Sequence, residues 1–149
     1  MNIDTLIHAR WIIPLEPEGT VYENYAIAIK DDKIKEILKS NDARKKYTAK
    51  EELDLKNHAI IPGLINSHTH AGMSLFRGLA NDLPLMDWLN NYIWPAEKKW
   101  VSSEFVMDGT KLAIAEMLRS GTTCFNDMYF FPNITAEACV NTGMRAVIG

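Results

Sequence analysis

The sequence predicts an α/β protein in which a β-rich segment precedes parallel β/α units, and three observations carry that prediction. Residues 1–58 hold short β-prone runs and one stretch suited to a helical turn. From Ala59 onward, apolar strand-like runs alternate with helical ones, the pattern of parallel β/α units. Length then limits the extent of the fold: a closed eight-stranded β/α barrel takes ~250 residues, so only about three of its units fit between Ala59 and Gly149.

In the first segment, "DTLIHARWIIP" and "NYAIAIKDDKIKEILK" are the β-prone runs, with Ile27, Ile29, Ile34 and Ile37 as apolar side chains. Asp31 and Asp32, between two alternating runs, suit a tight hairpin turn. "NDARKKY" suits one helical turn capped by Asn41 or Asp42. These strands are too few to close a sandwich over a dry core, so strands from elsewhere are expected to complete it.

After Ala59, "AIIPGLINS" reads as one buried strand, with Pro62 near its start where a missing N–H does least damage. Met73 to Leu79 suit a short helix or turn. "LPLMDWLNNYIWPAEKKW" is mostly helical, with a break expected near Pro95. "SSEFVMDGTKLAIAEMLRSG" predicts a longer helix. Ser102 or Ser103 caps it, Glu104 favours its first turn, Arg119 its last, and Gly121 its C′ position. Val106, Gly109, Ala113 and Met117 share one face at helical spacing, as core positions do. "TTCFND" is then a strand, "TAEACVNTG" a helix with Thr135 as N-cap and Gly143 as C′, and "MRAVIG" the start of another strand. A parallel sheet ending there would carry a bare apolar edge. The sequence is therefore expected to be a domain and a half: residues 1–58 of one domain and 59–149 of an incomplete second.

Composition narrows the function classes. The chain is 47% hydrophobic and 23% charged, with a formal net charge of −3. That balance suits a globular protein and gives no field for nucleic acid or an anionic membrane. The densest basic run, "ARKKYTAK", is followed at once by Glu51 and Glu52 and reads as a solvated face. No basic n-region precedes an apolar h-region, and the longest apolar run is too short to span a bilayer. Cys124 and Cys139 lie outside any CxxC pattern and read as reduced core residues, so a cytoplasmic location is expected.

Chemistry concentrates at "SHTH". Residues i and i+2 of a strand point to the same side, so His68 and His70 project together from the strand's C-terminal end, the end that faces the active site in β/α barrels. Imidazoles about 7 Å apart at their Cα atoms can converge on one divalent ion. Zinc, iron and nickel all accept such ligands. Two hydrogen-bonded loop histidines with no metal would give the same three letters.

The stretch "PGLINSHTHAGMSLFRGLANDLPLMDWLNNYIWPAE" resembles the metal-dependent amidohydrolase superfamily, and within it the branch of 5′-methylthioadenosine/S-adenosylhomocysteine deaminases and triazine hydrolases. The resemblance runs over all 149 residues, "GTTCFNDMYF" included, in a family whose members are about three times longer. It implies the N-terminal part of a (β/α)8 metal-dependent hydrolase barrel, preceded by part of a composite β-sandwich. His68 and His70 match the first two metal ligands. A further histidine and aspartate, the catalytic glutamate and a second histidine that supports the site come from later strands, so no catalytic residue falls within these 149. The resemblance also implies one divalent ion, zinc before iron or nickel, and hydrolytic release of ammonia from an adenine nucleoside. Guanine and triazine hydrolases of the superfamily, and a non-catalytic metal-binding relic, are the alternatives. Dimers or tetramers are common in the branch. The segment by itself is expected to bind metal weakly and turn nothing over.

By the same resemblance Glu97, in "WPAE", matches the acceptor of ribose hydroxyls, and Trp88 a pocket aromatic that covers the apolar part of a nucleoside. Read from the residues alone, Glu97 suits equally a solvated first helical turn, and Trp88 and Trp94 suit a helix core. Asn66 shares the face of His68 and could orient an imidazole or satisfy local backbone. Asp127, at the end of the second barrel strand, is expected at the pocket rim, in a structural role or behind a ligand. Arg77 and Arg145 could meet an acidic substrate tail or serve surface packing. His8 and His58 are expected to be structural.

Overall fold

The computed structural model describes residues 1–149 as two compact units, Met1–Pro62 and Gly63–Gly149. No helix is long and apolar enough to cross a membrane.

The first unit is a four-stranded sheet in the order β3-β2-β1-β4. β1 (Asn2–Ile12), β2 (Tyr22–Lys30) and β3 (Lys33–Lys39) pair antiparallel, and β4 (Thr48–Ile60) runs parallel to β1 on its other side. The hairpin forms where expected. Asp31 and Asp32 take φ of 51° and 58°, the pair of positive values that a type I′ turn needs to follow the strand twist. Asp4 Oδ2 accepts the Asp31 N–H at 2.9 Å and ties that turn to β1. One buried cluster gathers Ile3 and Leu6 with Ala26 and Ala28 of β2 and with Ala43 and Tyr47. A second cluster joins Ile27, which alternates with Ala26 and Ala28 along β2, to Ala9 and Ile12.

Two expectations are corrected here. α1 (Ser40–Lys46) is capped by neither Asn41 nor Asp42; its N-cap is Lys39, with no side-chain bond. β3 runs straight into the helix, so both residues already lie inside the first turn. "AIIPGLINS" is not one buried strand. β4 ends at Ile60, Pro62 and Gly63 interrupt, and β5 (Leu64–Thr69) belongs to the second sheet. Gly63 is required there: a Cβ would sit 2.1 Å from the Thr123 hydroxyl oxygen. β5 is an edge strand whose Leu64 and Ile65 remain exposed.

The second unit is a parallel sheet in the order β5-β6-β7, with β6 (Thr122–Asp127) and β7 (Arg145–Ile148). Between β5 and β6 come a 3₁₀ turn (Ala71–Phe76), α2 (Leu85–Trp88), a π-helical turn (Leu89–Ile93), α3 (Trp94–Trp100) and α4 (Ser103–Arg119). The expected alternation of strand and helix holds. So do the ends of α4: Ser102 Oγ accepts the Phe105 N–H at 3.1 Å, and Gly121 follows the helix at φ 85°. Its buried face is the one read from spacing, Val106, Gly109, Ala113 and Met117, joined by Thr110 and Ile114. The core gathers Ile114 and Met117 of α4 with Phe125 of β6 and Ala138 and Cys139 of α5 (Pro132–Thr142). Both cysteines are free.

The helix does not break at Pro95. The Trp94 N–H donates to the Leu89 carbonyl five residues back, and this wider turn delivers the chain to Pro95 with the proline at the start of α3. Thr135 is not an N-cap either. α5 begins three residues earlier, where Phe131 takes a left-handed φ of 54° and Pro132 supplies the fixed φ of a first turn. Thr135 is instead buried in the second turn, and Gly143 ends the helix at φ 71°.

Candidate functional site

β5 ends at Thr69, so His68 leaves its last turn of strand and His70 the residue beyond it. The two rings lie edge to face with centroids 4.9 Å apart. His70 Nδ1 faces the backbone carbonyl of Met128 in a hydrogen bond. A carbonyl only accepts, so the ring proton sits on Nδ1 and the Nε2 lone pair is left open, the tautomer a metal-ligating histidine needs. The His68 ring is solvent-exposed.

Four further bonds fasten β5 to the end of β6. The Thr69 hydroxyl shares its proton between Asp127 Oδ1 at 2.7 Å and the Asn126 carbonyl at 3.0 Å. Asp127 Oδ1 also accepts the Ala71 N–H at 2.6 Å, and the Met128 N–H donates to the Thr69 carbonyl at 3.2 Å. Asp127 is thus bonded on both sides of His70. It is 1% exposed, and its Oδ2 has no partner. It lies beneath the rim, with no edge on the cavity described next. Asn66 Oδ1 accepts the backbone N–H of His68 at 3.4 Å and reaches neither imidazole.

Beside His70 opens a cavity of about 570 Å³. Its wall is mostly apolar or aromatic, including Trp88, Trp94, Tyr129 and Phe130, and its acidic group is Glu97. Trp88 is fixed by its indole N–H, which donates to the Ala80 carbonyl at 3.1 Å. Glu97 Oε1 accepts from the Tyr129 hydroxyl at 2.8 Å. Burial, and after it the Glu97 carboxylate, pushes the Tyr129 phenol well above its ordinary value. One concave, largely apolar space with a few convergent polar groups is the form of a small-molecule site.

Other candidates fall elsewhere. Arg77 forms a fork-to-fork pair with Glu116, both bonds 2.7 Å, on the surface. Arg145 and His58 are exposed on β7 and β4. His8 is buried, with Nε2 3.1 Å from Glu52 Oε1, close enough for an ion pair but off hydrogen-bond geometry. Sequence reasoning missed Tyr129, Met128 and Phe130. The signal available was their place directly after the C-terminal end of β6, where β/α proteins put their loops of function.

Two imidazoles supply half of a zinc shell, and no group of three or more His, Cys, Asp or Glu side chains in the chain is placed to hold a metal ion. The fixed tautomer of His70 and the nearness of the rings fit a shared metal ion as its first two ligands.

A parallel β/α sheet with such a pair at its carboxyl edge is an α/β architecture that gathers its chemically capable groups where its strands end. Residues 59–149 match the amidohydrolase family, and the chain belongs to it. Over 145 residues it is 54% identical to a 5-methylthioadenosine/S-adenosylhomocysteine deaminase of Saccharophagus degradans, which covers 97% of this chain and 32% of that protein. It resembles the solved structure of an adenosine deaminase from Xanthomonas campestris with bound zinc at a TM-score of 0.97 and 45% identity, over 99% of this chain and 34% of that one. An atrazine chlorohydrolase from Arthrobacter aurescens TC1 complexed with zinc shares the fold, with a TM-score of 0.84 at 23% identity over 95% of this chain and 34% of that one. The chain spans about a third of the length of the curated relatives it matches.

Proposed function

We propose that this chain forms the N-terminal part of a metal-dependent deaminase that hydrolyses the exocyclic amine of an adenine nucleoside: 5′-methylthioadenosine, S-adenosylhomocysteine or adenosine. In this reading residues 1–58 contribute to a composite β-sandwich, and residues 59–149 are the first units of a (β/α)8 barrel. The exposed apolar side chains of β5 and β7 then face the strands and helices that complete the barrel. The observation that carries the reading is that His70, with Nε2 left open, and Glu97 share one aromatic-lined cavity of about 570 Å³.

His68 and His70 would hold a divalent ion, zinc before iron or nickel as in the zinc-bound structures the chain resembles, with the remaining ligands supplied outside this chain. Such an ion, when bound, makes hydroxide available by lowering the pKa of its water towards ~7. The residues of this chain do the rest of their work by placement. The Met128 carbonyl keeps His70 in the ligating tautomer. Trp88 covers the apolar part of the nucleoside. Glu97 has acceptor sites to spare beside the Tyr129 bond, and a vicinal diol can use both. Asp127 holds the ends of β5 and β6 together from behind His70.

The test is the full-length, metal-loaded protein mixed with each of the three nucleosides, followed by the shift of the adenine absorbance band. Turnover of at least one is expected; a silent trace with micromolar enzyme ends the proposal. Glu97→Gln separates the nearest rival. Loss of a charged acceptor should lower kcat/KM for the nucleoside by about 10- to 100-fold. A triazine substrate, which has no ribose, should hardly respond.

A further inference from the structure

Glu97 is carried by a short helix that follows a π-helical turn, and its carboxylate ends three rotatable bonds from the backbone. Tyr129 leaves β6 directly after Met128, the residue whose carbonyl holds His70. Its ring is seated by glycine: a Cβ on Gly72 would lie 2.9 Å from the ring's Cδ1. Phe130 and His70 flank that ring at centroid distances of 5.1 and 6.2 Å. The phenol is therefore a fixed donor aimed at a movable acceptor, and it reaches one oxygen of that acceptor.

We propose that Tyr129 is a positioning residue that sets the cavity's preference for a ribose diol by holding Oε1 of Glu97 and leaving Oε2 turned to the ligand. The inference rests on the nucleoside reading and deepens it. Without the hydroxyl the carboxylate must be ordered by the substrate, and the cost appears in binding. A purely structural bond between α3 and the end of β6 would affect every substrate alike.

The experiment compares kcat/KM of the full-length, metal-loaded enzyme for adenosine and for 2′,3′-dideoxyadenosine. Tyr129→Phe keeps the ring against Gly72 and removes only the hydroxyl. The ribo-to-dideoxy ratio should fall by about tenfold, with the loss carried by KM. On a Glu97→Ala background, where nothing remains to position, the same change should leave the ratio where it was. An unchanged ratio in the single variant, whether both rates drop together or neither moves, overturns the proposal. So does an equal fall on the Glu97→Ala background. Wild-type enzyme silent on adenosine, 5′-methylthioadenosine and S-adenosylhomocysteine alike removes the nucleoside reading as well, whereas active wild type with an unaltered ratio removes only the role of Tyr129.

Discussion

In the β1–β4 sheet Ile3, Leu6 and Ile12 are buried, whereas in the β5–β7 sheet Leu64, Ile65 and Val147 are 52%, 72% and 64% exposed. The first sheet covers the apolar side chains of its central strands β1 and β2 with a hairpin, the short helix α1 and the parallel β4. The second leaves apolar surface open yet fastens the polar carboxyl ends of β5 and β6 with a dense set of bonds around His70. Burial and precision are thus delivered by different means. One unit derives its order from side-chain packing; the other fixes a few chemically capable groups through backbone contact and hydrogen bonds.

The difference is broken most severely at Gly109. A Cβ there would sit 2.2 Å from the Gly72 carbonyl oxygen, and the obstacle is backbone that cannot swing aside. Gly→Ala in an exposed helix would gain about 1 kcal/mol of helix propensity. Overpacking here should outweigh it, so Gly109→Ala is expected to destabilise the full-length protein by about 2–3 kcal/mol. Chemical denaturation reads this directly, and a stabilised variant would contradict the close approach. Ser102→Ala removes the bond that caps the same helix and should cost about 1 kcal/mol, seen as a lower denaturation midpoint with an unchanged slope.

The smallest effect belongs to the first unit. His8 is 3% exposed among Glu52, Arg44 and Asp54, and burial, followed by the Arg44 charge, holds its pKa below the ordinary 6.5. An unfolded ring takes up its proton near 6.5 and the folded ring only at lower pH. The unfolded chain therefore binds more protons between those values. The contribution is complete above 6.5 and declines as pH falls through the folded value. Thermal unfolding between pH 7.5 and 5.5 should show this decline, and His8→Gln should flatten it. An unaltered slope in that variant would place the acid sensitivity elsewhere.

Much of this architecture is legible in the sequence because its signals are local. Asp-Asp between alternating runs makes a turn, and Ser102 with Gly121 brackets a helix. The failures have physical causes as well. β4 escapes notice as a single long strand because most of its residues, from Thr48 to Asn57, are polar and exposed, which leaves no alternation to read. Pro95 mimics a break because a π-helical turn absorbs it, and Thr135 mimics a cap that Phe131 and Pro132 have already made unnecessary. In the site, the His-x-His spacing announces the imidazole pair. The Tyr129 bond to Glu97 joins residues 32 positions apart and leaves no local trace.

Metal content of the full-length protein tests the central claim, that two neighbouring imidazoles are aimed at one cation. Elemental analysis of protein purified without chelator should find about one transition-metal ion per chain, and the His68→Ala/His70→Ala variant should find almost none. An ion-free wild type, or a double variant that keeps its ion, would contradict it.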